Sequence, residues 1–143
     1  MAKVMVFSMS SLRGADDLAE FIARNYSGRV VEVGAGHFAG VALALTEHGL
    51  DVTLTDKEER VLGSLSIEED DIFSPRLELY LGAGLLYSIR PPLEIQLAMG
   101  LLAAKIGADV LVRPLMDEVA NLPGFSKRLV NSGETSFYLF KRS

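Results

Sequence analysis

The sequence predicts an α/β protein with a Rossmann-like, three-layer sandwich fold, in which helices cover both faces of a mostly parallel sheet. Two observations support this prediction. Short β-branched runs alternate with segments of helical spacing along the 143 residues, and a Ser-Gly-Glu turn near the end joins two further apolar runs. The turn predicts an antiparallel C-terminal hairpin at the edge of the sheet. Because this length suits one domain, residues 1–143 are expected to form a single unit.

A leading helix and one βαβ unit are predicted in the first part of the chain. Apolar side chains recur at helical spacing within residues 16–27, which predicts the leading helix. Residues 29–33 form a short apolar run that stops at a glycine turn, as a buried parallel strand does. Helical spacing then resumes up to Gly49, a residue type that caps helices, and residues 50–56 predict a second strand. Residues 29–56 therefore match the usual size of a βαβ unit.

The segment that follows is charged and weakly patterned. We expect a short helix over residues 57–62 and a short strand over residues 64–67. Residues 70–75 then predict a strand end that runs into a turn at Pro75.

Alternation of strand and helix returns in the second half. Residues 83–89 predict a buried strand, residues 93–106 a helix with an apolar stripe, and residues 108–112 the next strand. Prolines just before the helix fit its first turn. The hairpin strands are expected at residues 128–131 and 135–140.

Composition excludes several classes of protein. The chain has no cysteine, so disulfides, Cys-ligated metals and thiol nucleophiles are ruled out. Two scattered histidines predict no transition-metal site, and a net charge of −5 does not indicate a nucleic-acid partner. No apolar run is long enough to span a membrane and no signal peptide is evident, so we expect a cytoplasmic protein.

The clearest chemical signal is the loop Gly34-Ala35-Gly36, between the first strand and the helix after it. Glycines let the backbone turn sharply and approach a ligand closely. Asp56 ends the next strand, 22 residues after Gly34, where a carboxylate can accept hydrogen bonds from both hydroxyls of a ribose. His37 follows the loop and could act as a base or bind a ligand. The pattern predicts a nucleotide-cofactor site; the competing interpretation is a tight turn with Asp56 starting a helix.

Two strands end alike, in Arg90 and Arg113, each followed by proline. If the strands are parallel neighbours, the two guanidinium groups converge on the edge that carries the glycine loop, forming a site for phosphate or carboxylate. Each arginine could instead be solvated or pair with Glu94 or Asp117. Tyr87 is the nearest polar aromatic residue and a candidate for the same site, although a tyrosine in a buried strand is more often part of the core.

The segment Val30-Val31-Glu32-Val33-Gly34-Ala35-Gly36 resembles the first motif of class I methyltransferases that depend on S-adenosylmethionine (SAM). The resemblance implies that Glu32 orients the loop or the methionine end of SAM, that Gly34 and Gly36 line the methionine, and that Asp56 holds the ribose. Phe38 stands where the family has a third glycine.

Asp71-Ile72-Phe73 resembles a further motif of these enzymes. The resemblance implies that Asp71 meets the adenine amino group and Ile72 packs on the ring, with Asp70 competing for the acidic role. Residues 90–93 stand where amino methyltransferases carry Asn/Asp/Ser-Pro-Pro-aromatic. Only the prolines match, so methylation of amines is not indicated.

Over nearly its full length the chain also resembles a small family of archaeal Rossmann-like proteins that share the glycine loop and a Tyr-Ser-Ile-Arg-Pro-Pro segment, here residues 87–92. That resemblance implies the fold and assigns no activity. Three functions therefore stay open: SAM binding with methyl transfer to an unknown acceptor, an NAD(H)-binding regulatory module, and a degenerate fold used for interaction or homodimer formation. Glu32 favours SAM over NAD(H), whereas Phe38 supports the degenerate fold.

Overall fold

The computed structural model describes residues 13–36 and 38–143. In that part the helices are α1 (Ala15–Asn25), α2 (Gly40–Glu47) and α3 (Leu93–Ile106), with a short 3-10 helix at Leu77–Leu79. The strands are β1 (Arg29–Val33), β2 (Asp51–Asp56), β3 (Arg60–Leu62), β4 (Leu65–Glu69), β5 (Ala83–Ile89), β6 (Asp109–Arg113), β7 (Phe125–Ser132) and β8 (Thr135–Arg142). They form one eight-stranded sheet in the order β3-β4-β2-β1-β5-β6-β8-β7.

The sheet is parallel in its centre and antiparallel at both ends. β4, β2, β1, β5 and β6 run parallel to one another. β8 pairs antiparallel with β6, and β7 pairs antiparallel with β8 at the edge. The prediction of a mostly parallel sheet with an antiparallel C-terminal hairpin is confirmed.

Helices cover both faces of this sheet, as the Rossmann-like prediction required. Neighbouring strand residues point to opposite faces. Val30 packs with Leu18 of α1 and Leu45 of α2, whereas Val31 packs with Met99 of α3. The apolar stripes of the helices therefore bury the two faces of one sheet, and they form the outer layers.

The predicted helix over residues 57–62 is wrong. Residues 60–62 form β3, which pairs antiparallel with β4, so that Leu62 lies opposite Leu65 across a two-residue turn. Gly63 has a φ of 66°, the left-handed conformation that such hairpin turns require. The local pattern was too weak to show this pairing. The strand predicted at residues 64–67 is β4, and both C-terminal hairpin strands are longer than predicted.

Before α1, the chain passes close to the turn between β7 and β8. Gly14 has a φ of 78°, and a Cβ added there would lie 2.8 Å from the Thr135 Cβ and 3.1 Å from the Glu134 carbonyl carbon. In the same contact the Asp17 carboxylate accepts a hydrogen bond from the Glu134 N–H at 2.8 Å. The start of α1 is thus docked on the C-terminal hairpin.

Gly14→Ala is expected to lower the free energy of unfolding by about 2–4 kcal/mol, because strain in the left-handed region adds to a clash with the hairpin. Gly28→Ala is the matched control, since Gly28 has the same φ of 78° and nothing within 4 Å of an added Cβ. It should cost only the backbone strain, about 1–2 kcal/mol. Urea denaturation measures both, and equal losses would contradict the docking contact.

Among the described residues, no helix is long and apolar enough to cross a membrane.

Leu93, Leu97 and Leu101 recur every fourth residue on the outer face of α3 and are 43%, 44% and 73% exposed. A homodimer that buries this face stays a prediction.

Candidate functional site

A cavity of about 280 Å³ lies at the edge of the sheet where the parallel strands end. Strand β1 lies between β2 and β5 in the sheet. The strands β2 to β4 lie on one side of β1 and the strands β5 to β8 on the other, so the direction of the strand order reverses at β1. Ligands of open α/β sheets bind at such a reversal. The lining comes from four strand ends and α3: Val33 and Gly34 (β1), Thr55 to Lys57 (β2), Asp70 to Ile72 (β4), Ser88 to Pro92 (β5), and Ile95.

The glycine loop and Asp56 are joined directly. Oδ2 of Asp56 accepts a hydrogen bond from the Gly36 N–H at 3.1 Å, and Oδ1 accepts one from the Lys57 N–H at 2.8 Å. The Ala35 N–H donates to the Thr55 carbonyl at 2.9 Å. The end of β2 thus fixes the shape of the loop. Asp56 lines the cavity instead of starting a helix, contrary to the competing interpretation.

The two glycines of the loop are required by their backbone conformation. Gly34 has a φ of 68° and Gly36 a φ of 61°, values that other residues adopt only at a cost. A Cβ on Gly34 would have only the Ser88 Oγ within reach, at 4.0 Å. That same hydroxyl donates to the Val33 carbonyl at 2.6 Å and holds the end of β1 against β5. Sequence analysis missed this role of Ser88.

Glu32 lies beneath the loop and does not line the cavity. Its side chain is buried, and its Oε1 accepts a hydrogen bond from the Tyr87 hydroxyl at 2.8 Å. Burial raises the pKa of Glu32 to about 8; the Tyr87 hydrogen bond opposes the rise, and the charge of Asp56 adds to it. Burial, together with Glu32, also raises the pKa of Tyr87 well above its ordinary value. The pair supports the loop from within the sheet, and Tyr87 is part of the core.

The two aspartates after β4 have different surroundings. Asp70 is buried, and its carboxylate accepts hydrogen bonds from the Tyr80 hydroxyl and from the Arg76 N–H, the latter at 2.9 Å. Asp71 is exposed and accepts the Phe73 N–H at 2.9 Å in a local turn. Asp71 and the buried Ile72 both line the cavity.

The two arginines stand at the ends of neighbouring parallel strands, as their positions in the sequence predicted. Ile89 lies opposite Arg113 in the β5–β6 ladder, and the Arg90 N–H donates to the Arg113 carbonyl at 2.7 Å. Arg90 lines the cavity, and its guanidinium lies 5.3 Å from the centre of the Phe38 ring. Burial, and then Arg90, lowers the pKa of Arg113. In the described ranges neither arginine forms an ion pair, so the expected alternatives, Glu94 and Asp117, are not their partners.

Gln96 is a second residue that sequence analysis missed. It is fully buried in α3, and its amide joins two loops at the rim of the site: Nε2 donates to the carbonyls of Pro91 and Glu118, and Oε1 accepts the Ala120 N–H. The only signal in the sequence was a polar residue within an apolar helix. His37, the remaining candidate, lies outside the described residues.

The match to known families covers almost the whole chain. A model described as "Uncharacterised protein family (UPF0146)" matches residues 15–142. The chain belongs to the UPF0146 family. A UPF0146 protein from Archaeoglobus fulgidus is 40% identical over 126 residues, covering 87% of this chain and 93% of that protein.

Several solved structures similar to this UPF0146 chain are described as methyltransferases. One is a protein of Methanococcus maripaludis, provisionally assigned as SAM-dependent, with a TM-score of 0.61 and 10% identity over 99% of this chain and 92% of that one. Another is the glycopeptide N-methyltransferase MtfA in complex with SAM, with a TM-score of 0.52 and 13% identity over 90% of this chain and 74% of that one. At this identity the likeness shows the fold, which is Rossmann-like.

Proposed function

We propose that this UPF0146 protein binds SAM in the cavity at the ends of β1, β2, β4 and β5, and that it transfers the methyl group to an acceptor. The observation that carries the proposal is the placement of Asp56: its carboxylate holds the Gly36 N–H and lines the cavity next to Gly34. An acid at this position is suited to a ribose diol. Fold likeness to methyltransferases supports the cofactor but does not by itself supply a reaction.

The residues of the cavity fit an adenosine with a methionine tail. A carboxylate has about four acceptor sites, so an oxygen of Asp56 that accepts one N–H can also accept a hydroxyl. Gly34 presents backbone without a side chain, which leaves room for a tail beside Ser88. The buried Ile72 offers an apolar surface to a base, with the exposed Asp71 next to it. Phe38 does not line the cavity, so its ring does not fill the place of the ligand.

The geometry favours SAM over a dinucleotide. In dinucleotide-binding folds the pyrophosphate sits at the N-terminus of the helix that follows the glycines. Here α2 begins at Gly40, four residues after Gly36. The Gly36 N–H, a donor that a pyrophosphate would need, already donates to the Asp56 carboxylate.

When bound, SAM supplies a methyl group activated for transfer. The part of this chain is to hold the cofactor by its ribose, to shape the loop through Ser88 and the Asp56 carboxylate, and to keep an acceptor in line beside Arg90. Such alignment is a large source of acceleration, because it removes the entropy of bringing two reactants together.

Calorimetric titration with SAM, its demethylated product S-adenosylhomocysteine (SAH) and NAD(H) tests the proposal. We expect SAM or SAH to bind and Asp56→Ala to weaken binding by about 30-fold or more, because charge-assisted hydrogen bonds to the ribose contribute about 2–3 kcal/mol. Asp51→Ala is the matched control, since Asp51 is an exposed carboxylate at the opposite end of the same strand. It should bind as the wild type does.

Other outcomes would redirect the assignment. Binding of NAD(H) alone, lost in Asp56→Ala, would indicate the regulatory module. No binding of any of these ligands would leave the degenerate fold as the better explanation. Circular dichroism of both variants shows whether the fold is retained.

A further inference from the structure

Two arginines meet at the carboxyl ends of β5 and β6, and we propose that Arg90 and Arg113 bind the anionic group of the methyl acceptor, a carboxylate or a phosphate. This inference rests on the proposed function and adds the chemical class of the second ligand. A guanidinium pair is the arrangement that proteins use to hold such anions through bidentate hydrogen bonds.

No carboxylate of the described residues compensates the charges of the two arginines. Arg113 is partly buried, and both burial and the nearby Arg90 lower its pKa. In the part of the chain that the structure describes, no carboxylate forms an ion pair with either guanidinium, and the Arg90 guanidinium lies over the ring of Phe38. Like charges on neighbouring strand ends repel each other, and a bound anion would relieve that repulsion.

Backbone strain marks the same place. Arg90 has a φ of 58° and Met116, in the loop after β6, a φ of 67°; in the described ranges no other residue except glycine has a positive φ. Strain of this kind costs about 1–3 kcal/mol and collects at functional sites. The Arg90 N–H is nevertheless fixed to the Arg113 carbonyl at 2.7 Å, so the strained conformation is held by the sheet. Position 90 therefore carries an arginine although glycine would adopt this backbone conformation with less strain.

The position of the pair separates it from the cofactor's ribose. Asp56 ends β2 and Arg113 ends β6, with β1 and β5 between them. Three strand spacings amount to about 14 Å. Arg90 lines the cavity and Arg113 lies beyond it. An anion held by both therefore lies on the far side of the cavity from Asp56, where a second ligand would approach.

NMR titration of the arginine Nε–H groups, with inorganic phosphate and with succinate as probes, tests the pair in protein saturated with SAH. We expect Arg113→Gln to raise the dissociation constant of the better probe by at least about tenfold, because a charge-assisted pair is lost. The affinity for SAH should change by less than about twofold. The thermal midpoint should not fall, since the repulsion between like charges is removed. Arg113→Lys keeps the positive charge but not the planar guanidinium, so its dissociation constant for the probe should lie between those of the wild type and Arg113→Gln.

Arg128→Gln is the control, because Arg128 is an exposed arginine on β7 and its loss changes the net charge equally. It should leave both affinities unchanged. If Arg128→Gln weakens binding of the probes as much as Arg113→Gln does, the effect is one of net charge and the proposal is overturned. An equal loss of SAH affinity in Arg113→Gln would also overturn it, because the arginines would then hold the cofactor's own carboxylate.

The failure of the proposed function is separable from the failure of this inference. If the wild type binds neither SAM nor SAH, the cofactor assignment falls and the acceptor assignment with it. If SAH binds as expected but the probes bind wild type and Arg113→Gln equally, only the anion site is overturned. Whichever probe binds more tightly distinguishes a phosphate from a carboxylate acceptor.

Discussion

Replacing Gln96 with leucine is expected to lower the free energy of unfolding by about 3 kcal/mol. Leucine fills a similar volume but leaves three backbone groups without their present partner: the buried Pro91 carbonyl and Ala120 N–H and the partly buried Glu118 carbonyl, now bonded at 3.0, 2.8 and 2.7 Å. Each unsatisfied group costs about 1 kcal/mol or more. Urea denaturation at constant pH measures the change.

The same substitution should weaken SAH binding, because Gln96 anchors the prolines that form one wall of the cavity. Glu94→Leu is the control: it places leucine at an exposed position of the same helix and should change stability by no more than about 0.5 kcal/mol. If the two variants lose equal stability, the Gln96 amide does not hold the loops. Loss of stability without any loss of SAH affinity would show that the anchor is purely structural.

The stability of the protein is expected to fall as the pH rises from about 5 to 8. The pKa of Glu32 is about 8 in the folded protein, against an ordinary value of 4.5, because its carboxyl is buried. Between these values the folded state keeps a proton that the unfolded state has released. Each pH unit therefore costs about 1.4 kcal/mol, and the whole range up to about 5 kcal/mol. Below the lower pKa and above the higher one this group contributes no slope.

Glu32→Gln isolates the effect, since its amide oxygen can still accept the Tyr87 hydroxyl but does not titrate. Urea denaturation at pH 5, 6, 7 and 8 should give a flatter profile for the variant than for the wild type. The difference between the two profiles removes the contributions of all other groups. Glu94→Gln, an exposed control, should follow the wild type. Parallel profiles for wild type and Glu32→Gln would show that Glu32 is ionised in the fold.

The sequence allowed the first βαβ unit and its glycine loop to be predicted because their signals are local. A β-branched strand that stops at Gly34, a helical spacing that stops at Gly49 and an acid at the end of the next strand lie within residues 29–56. The placement of Arg90 and Arg113 at one edge of the sheet followed from the rule that parallel strands end at the same edge. These parts of the site needed only the period of the apolar residues and the positions of the glycines.

Other contacts of the site could not be predicted, because they join residues far apart in the chain. The Ser88 hydroxyl meets the Val33 carbonyl, and the Tyr87 hydroxyl meets Glu32, each across 55 residues. No spacing rule selects such partners. The hairpin of β3 and β4 was not predicted for a different reason: its strands are short and charged, and Gly63 alone marked the turn.

The order of the strands also bears on how the chain folds during synthesis. β8 lies between β6 and β7 in the sheet, although it is made after both of them. β7 therefore cannot join the sheet until β8 has left the ribosome, and until then its backbone N–H and C=O groups have no partner strand. The contact between the start of α1 and the turn of these two strands is delayed in the same way. The C-terminal hairpin can thus join the sheet, and the start of α1 can dock on its turn, only after β8 has been synthesised.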